Sequence, residues 1–211
     1  MKNGGYGVVL RFFVYMLLVI CLGGVLNGIA VVGEMSDFKE GGIVEWMQFA
    51  SLGISAAVLL ETAGKKLQGA KIFPFLAALL TIIAMFREMD QILGRYVPLI
   101  GWKTPVFVLA VGFFWIAWRN RDQFLPELRS LTLSAFFPLM WAGLAVVIFG
   151  QMVGHGDFLE PLLGSCYDRN YKRLLEESFE MMGYFFIFIG CLELRFEVRG
   201  YTKAPMHGAD D

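Results

Sequence analysis

The chain contains few charged residues, and its hydrophobic residues are arranged in long runs. Only 18% of the 211 residues are charged, whereas soluble domains have roughly 25%. The formal net charge is −1, and no stripe of basic residues interleaved with aromatic residues occurs. We therefore expect no nucleic-acid partner. Apolar runs of this length, which make the chain 57% hydrophobic, are typical of an integral membrane protein.

Histidine is nearly absent, and the three cysteines show no metal-binding or redox spacing. Two histidines, His155 and His207, are too few for a bis-histidine haem, a typical zinc hydrolase or a di-iron site with Glu-x-x-His pairs. No phosphate-binding loop, dinucleotide motif or nucleophile elbow occurs. We expect no haem, flavin or nucleotide cofactor. The sequence assigns no catalytic residue and leaves open whether the protein is an enzyme.

The apolar runs predict an all-α, polytopic membrane protein with a six-transmembrane-helix bundle. Crossing the hydrocarbon core takes about 20 residues, and the first run is too long for a signal peptide. The predicted spans are Phe12–Val32, Ile43–Leu60, Ile72–Leu93, Pro105–Trp118, Leu131–Val153 and Leu174–Leu194. We expect residues 1–200 to form a single membrane-embedded domain and residues 201–211 to form a short, disordered cytoplasmic tail.

Lys and Arg are more frequent on the side of the predicted bundle that carries both termini. The positive-inside rule places that side in the cytoplasm. We therefore predict an N-in/C-in multi-pass protein of a bacterial inner (cytoplasmic) membrane. The basic residues on the predicted inner side are Lys2, Arg11, Lys65, Lys66, Lys71, Arg119, Arg121, Arg129, Arg195, Arg199 and Lys203.

Proline and glycine positions predict local features of these spans. Pro138 lies inside the fifth span, where a proline is expected to kink the helix. Gly24 and Gly28 in the first span, and Gly183 and Gly190 in the sixth, are expected to let neighbouring helices approach closely.

Polar side chains recur near the outer end of almost every predicted span. With a rise of 1.5 Å per residue, they lie roughly 18 to 30 Å from the inner end of their helices. Spacings of three or four residues place the polar groups of each helix on one face. Ionisable groups are costly inside a membrane and usually indicate function. The inner half of the spans is almost entirely apolar, so the sequence predicts one polar pocket that opens outward.

Carboxylates dominate this predicted pocket, and oxygen ligands suit Mg²⁺, Ca²⁺ or Mn²⁺. The predicted cation ligands are Glu45, Asp90, Glu177 and Glu180. Arg87 would balance charge or hold a phosphate or carboxylate group with its planar guanidinium. The supporting polar residues are Asn27, Gln48, Glu88, Gln91, His155 and Glu176.

The sequence is compatible with three functions. The first is a membrane protein whose pocket binds a divalent cation, a polar lipid headgroup or both, with lipid processing left open. The second is a non-catalytic membrane subunit in which the acidic and arginine residues form a structural network. The third is a proton- or cation-coupled transporter, which would need polar groups through the full membrane depth. The expected partners are membrane lipid and either other membrane subunits or further copies of this chain.

Overall fold

The computed structural model describes residues 4–33, 35–38, 41–64, 72–89 and 102–203. Within these ranges the chain forms eight α-helices and no strand, which confirms the predicted all-α class. Short 3₁₀ turns lie at Met35–Phe38 and Gly164–Cys166. The helices are α1 (Gly4–Val32), α2 (Ile43–Gly64), α3 (Ile72–Glu88), α4 (Lys103–Arg119), α5 (Arg121–Leu131), α6 (Phe136–Val153), α7 (Gly156–Leu163) and α8 (Arg169–Lys203).

Three of the described helices are long and apolar enough to cross a membrane. The candidate spans are Gly7–Val32, Ile43–Gly64 and Phe136–Val153. Helices α3 and α4 have 17 residues each, and α8 has 35 residues with charged groups on both sides of its apolar centre. The chain is thus consistent with a membrane protein, whereas the six spans and their orientation stay predictions.

The fifth predicted span is wrong at its start. Helix α5 ends at Leu131, and α6 begins at Phe136 after a turn. Pro138 therefore lies in the first turn of α6, where a missing N–H removes no helical hydrogen bond. The kink predicted inside a span is wrong for the same reason. At the C-terminus, α8 continues to Lys203, beyond residue 201 where the tail was predicted to begin.

Helix α8 is the central element of the bundle. Helix α6 packs along it, α2 packs against both α8 and α3, and α4 lies on α3. Glycines permit the close approach of α6 and α8: a Cβ added to Gly143 would lie 2.7 Å from the carbonyl oxygen of Gly183. A Cβ added to Gly183 would lie 2.5 Å from Cγ2 of Val147. The predicted role of Gly183 in helix packing is confirmed.

Helix α1 lies at the edge of the bundle and contacts α8. Leu22 and Leu26 are buried there, but most of the apolar side chains of α1 are exposed. Cβ atoms added to Gly24 and Gly28 would meet nothing within 4 Å. The predicted packing role of these two glycines is therefore wrong for contacts within the described chain.

Candidate functional site at the acidic end of the bundle

Helix α8 places three glutamates close together near its N-terminal end. Glu176, Glu177 and Glu180 are three or four residues apart, so they lie within about 6 Å along the helix axis. Glu180 is buried, with 4% of its surface exposed, whereas Glu176 and Glu177 are half-buried. We call these three residues, with the side chains from other helices that contact them, the acidic cluster.

Gln48 connects α2 to the acidic cluster. Its side chain is completely buried, and Nε2 donates to Oε2 of Glu177 at 2.9 Å and to the backbone oxygen of Glu177 at 3.2 Å. Its Oε1 is also buried and has no hydrogen-bond partner among the residues that the structure describes. The predicted convergence of Gln48 and Glu177 is therefore observed, and an acceptor at this position is left unsatisfied.

Glu180 is contacted from two other helices. Gln151 near the end of α6 donates from Nε2 to Oε1 of Glu180. Arg87 in the last turn of α3 approaches the same oxygen, with Nη2 at 3.6 Å. The Arg87 side chain is 47% exposed, so the guanidinium lies at the surface of the cluster rather than inside it.

Glu88 and Glu45 lie at the margin of the cluster. The hydroxyl of Tyr184, which is one turn after Glu180 on α8, donates to Oε1 of Glu88 at 2.7 Å. Glu45 in the first turn of α2 accepts a hydrogen bond from the backbone N–H of Gly41. Both glutamates line a small cavity with room for about one water molecule.

The other predicted residues divide into three groups. Glu176 packs against α6, where a Cβ added to Gly154 would lie 2.5 Å from its carboxyl carbon. Asn27 is exposed on α1, and His155 is exposed in the turn before α7, with no hydrogen bond to the acidic cluster in the described part of the chain. Asp90 and Gln91 lie outside the described residues.

The described carboxylates do not by themselves form a metal cage. Among the residues that the structure describes, no group of three His, Cys, Asp or Glu side chains is placed to hold a metal ion. Two carboxyl groups and an amide oxygen are ligands of the kind that a hard cation takes, if oxygens from outside the chain complete its coordination. The cluster is a partly buried group of carboxyl and amide oxygens with one nearby guanidinium.

The opposite end of α8 carries a second polar network that the sequence did not suggest. Glu193 is 1% exposed and accepts hydrogen bonds from Arg11 at 2.8 and 3.1 Å and from the hydroxyl of Tyr15 at 2.7 Å. Two residues further along, Nη2 of Arg195 lies 2.6 Å from Oε2 of Glu61. We call these five residues the opposite-end network. It lies about 20 Å from Glu180 along the axis of α8.

Two further carboxylates near this end accept hydrogen bonds from backbone N–H groups at the start of a helix. Glu127 of α5 accepts from the backbone N–H of Phe73 at 2.8 Å, at the N-terminus of α3. Glu197 accepts from the backbone N–H of Ala135 at 3.0 Å, just before α6. Helix N-termini have unsatisfied N–H groups and favour negative charge, so both glutamates have a structural explanation.

Sequence reasoning missed Tyr184 and Glu193 as members of these networks, and it placed Gln151 in the outer polar layer without naming it as a site residue. Gln151 is the polar residue of the last turn of the otherwise apolar α6, which is a signal of the same kind as Gln48. Tyr184 follows Glu180 by four residues and so shares its helix face. Glu193 and Arg11 are 182 residues apart, and no local spacing pairs them.

Comparisons with protein-family models, with curated proteins and with solved structures find no match to this chain.

Proposed function

We propose that this protein is a multi-pass membrane protein that binds a divalent cation together with a polar lipid headgroup at the acidic cluster. The acidic cluster faces the outer side of a bacterial inner membrane, and both termini are cytoplasmic. The three apolar helices and the distribution of Lys and Arg support this placement. Six spans follow if α3, α4 and α8 also cross the membrane.

The observation that carries the proposal is the set of three carboxyl groups on one face of α8. Glu176, Glu177 and Glu180 lie within about 6 Å along the axis. Among the described residues, Arg87 is the cation within 4 Å of this group, and it is half exposed. Like charges at this spacing repel one another, so a bound cation would stabilise the arrangement.

The buried oxygen of Gln48 is an independent second observation. Buried polar atoms without a partner are rare, and a ligand or an ion is one explanation for them. Among the described residues there are two such side-chain atoms, Oε1 of Gln48 and Nε of Arg195 in the opposite-end network. Oε1 of Gln48 belongs to an amide whose nitrogen already donates to Glu177, so it lies next to the carboxylates. Amide and carboxylate oxygens are the ligands that Mg²⁺ and Ca²⁺ prefer.

No group of three ligating side chains is placed to hold a metal ion in the described part of the chain, so a cation at the acidic cluster would need oxygens from a second ligand. Mg²⁺ is usually held in proteins by one or two carboxylates together with waters and phosphate oxygens of a substrate. Glu177 and Glu180 supply two carboxylates from one helix. A lipid headgroup at the membrane surface would supply the remaining oxygens.

A structural network is the second candidate, because in the described part of the chain the side chains that donate to Glu177 and Glu180 come from other helices. Gln48 joins α2 to α8, and Gln151 joins α6 to α8. Interhelical hydrogen bonds in membranes contribute about 0.6 kcal/mol each on average. The network accounts for the two amides, but it does not account for three adjacent acids.

A transporter is less well supported by the described residues. The hydroxyls between the two ends of the bundle bond to backbone oxygens: Ser55 to Ser51 at 2.7 Å and Thr81 to Ala77 at 2.8 Å. Ser55 and Thr81 bond within their own helices, and Ser51 donates to the backbone oxygen of Tyr184 on α8 at 3.4 Å. Among the described residues these hydroxyls bond to the backbone and do not form a polar path.

Metal analysis of the purified full-length protein tests the proposal. After dialysis against Mg²⁺, Ca²⁺ or Mn²⁺, we expect about one ion per chain, retained together with lipid phosphorus. The double variant Glu177→Gln/Glu180→Gln should lose the ion, because it removes charge and keeps shape. Glu160→Gln, an exposed acid on α7, is the matched control and should retain it. Equal ion content in the double variant and the wild type would refute the proposal.

A further inference from the structure

Two arginines pair with buried glutamates of α8, and their geometries differ. Arg11 uses Nε and Nη2 to contact both oxygens of Glu193, at 2.8 and 3.1 Å. Arg87 makes one contact with Glu180, at 3.6 Å. The Arg11 side chain is 32% exposed and that of Arg87 is 47% exposed. One guanidinium is therefore engaged in a two-point contact, and the other is only nearby.

The 3.6 Å contact leaves the donors of Arg87 available. This distance is longer than a hydrogen bond, and ion pairs at exposed positions stabilise proteins little. A guanidinium carries five N–H donors in a planar fork. In the described part of the chain, no hydrogen bond uses any of those on Arg87.

Glu180 does not depend on Arg87 for a donor. Its Oε1 already accepts from Nε2 of Gln151 on α6. If Arg87 turns toward another anion, the buried carboxylate keeps a hydrogen bond, so the rotation does not leave it without a partner. Glu193 differs, because Arg11 supplies two of the three hydrogen bonds that it receives.

We propose that Arg87 is the phosphate-binding residue of the acidic cluster and holds two phosphate oxygens with its fork. The inference rests on the proposed function, since a cation at Glu177 and Glu180 would offset the repulsion between phosphate and carboxylates. Planar, two-point recognition of phosphate is a property of arginine that lysine does not share. The ligand class is therefore a phosphate ester, which the membrane supplies as a phospholipid headgroup and the solution as a small phosphate ester.

Lipid retention in nanodiscs tests this inference with the full-length protein and Mn²⁺ present. The nanodiscs contain phosphatidylglycerol or a neutral glycolipid without phosphate, and the retained lipid is counted by native mass spectrometry. Arg87→Gln should lower the affinity for phosphatidylglycerol on the order of tenfold, because a charge-assisted two-point contact is lost. Arg87→Lys should lose less, and retention of the glycolipid should not change.

Arg169→Gln is the matched control for general electrostatics. Arg169 is exposed at the first residue of α8 and lies outside the acidic cluster. It should retain phosphatidylglycerol as the wild type does. Glycerol phosphate tests whether a soluble ligand binds at the same site. If it displaces phosphatidylglycerol from the wild type but not from Arg87→Gln, a small phosphate ester is a ligand of that site.

The two proposals fail in different ways. If Arg87→Gln binds Mn²⁺ and also retains phosphatidylglycerol like the wild type, the role of Arg87 is refuted and the cation site stands. If the wild type binds no Mn²⁺, the proposed function fails whatever the lipid result. Unchanged Mn²⁺ binding in Arg87→Gln also shows that the variant has folded.

Discussion

The two ends of α8 carry similar residues in different arrangements. At the opposite-end network, Arg11 and Tyr15 surround the buried Glu193, and Arg195 pairs with Glu61. At the acidic cluster, Glu177 and Glu180 receive hydrogen bonds from the neutral amides of Gln48 and Gln151, and the nearby guanidinium is half exposed. One end is balanced in charge, and the other has an excess of acid.

This difference is the reason why we assign a structural role to one end of α8 and propose ligand binding at the other. A buried carboxylate is stable when cations and hydrogen bonds satisfy it, and Glu193 meets this condition within the chain. The acidic cluster meets only half of it, since hydrogen bonds are present and neutralising charge is scarce. The cation that we propose would complete the second arrangement.

The largest expected effect is the loss of stability in Glu193→Gln. The change leaves Arg11 without its counter-charge in a partly buried position, which typically costs about 3 kcal/mol. Reversible unfolding in mixed micelles should show this loss, and Glu160→Gln serves as the surface control. A loss below about 0.5 kcal/mol, the size of an ordinary surface substitution, would show that the opposite-end network does not hold the bundle together.

A smaller loss is expected for Gln151→Leu at the acidic cluster. The substitution removes the amide donor to the buried Glu180, which costs about 1 kcal/mol. The same unfolding measurement in metal-free buffer gives the value. If the loss of unfolding free energy in Gln151→Leu equals or exceeds the loss in Glu193→Gln, the result would favour a structural network at both ends of α8.

The smallest effect, of opposite sign, is expected for Glu177→Gln. The variant keeps an acceptor for Gln48 and removes repulsion from Glu176 and Glu180, so the free energy of unfolding should rise by about 0.5 kcal/mol without metal. A clear destabilisation would mean that the charge of Glu177 is already compensated in the folded chain. The acidic cluster would then carry no uncompensated negative charge.

Sequence patterns predicted well those features that depend on spacing within one helix. The positions of Gln48, Glu177 and Glu180 at one end of the bundle follow from the helical repeat and the depth of each residue. The close packing at Gly183 follows from its place in an apolar helix. Local periodicity is enough for such predictions, because the contacts involve a repeated helix face.

The failures came from contacts between distant segments and from helix boundaries. Asn27 was expected in the pocket from its depth alone, but α1 lies at the edge of the bundle and exposes it. The pairing of Arg11 with Glu193 depends on where α1 meets α8, which no single-helix pattern specifies. The break between α5 and α6 interrupts an apolar run whose composition is continuous.

The most direct test of the cation site is the change in unfolding free energy when Mn²⁺ is added. Ligand binding to the folded state alone should stabilise the wild type by about 1.4 kcal/mol at a free concentration ten times Kd. Glu177→Gln/Glu180→Gln should gain nothing, while Glu193→Gln, although less stable, should gain as much as the wild type. The account is contradicted if Mn²⁺ leaves the wild type unchanged or stabilises the double variant equally.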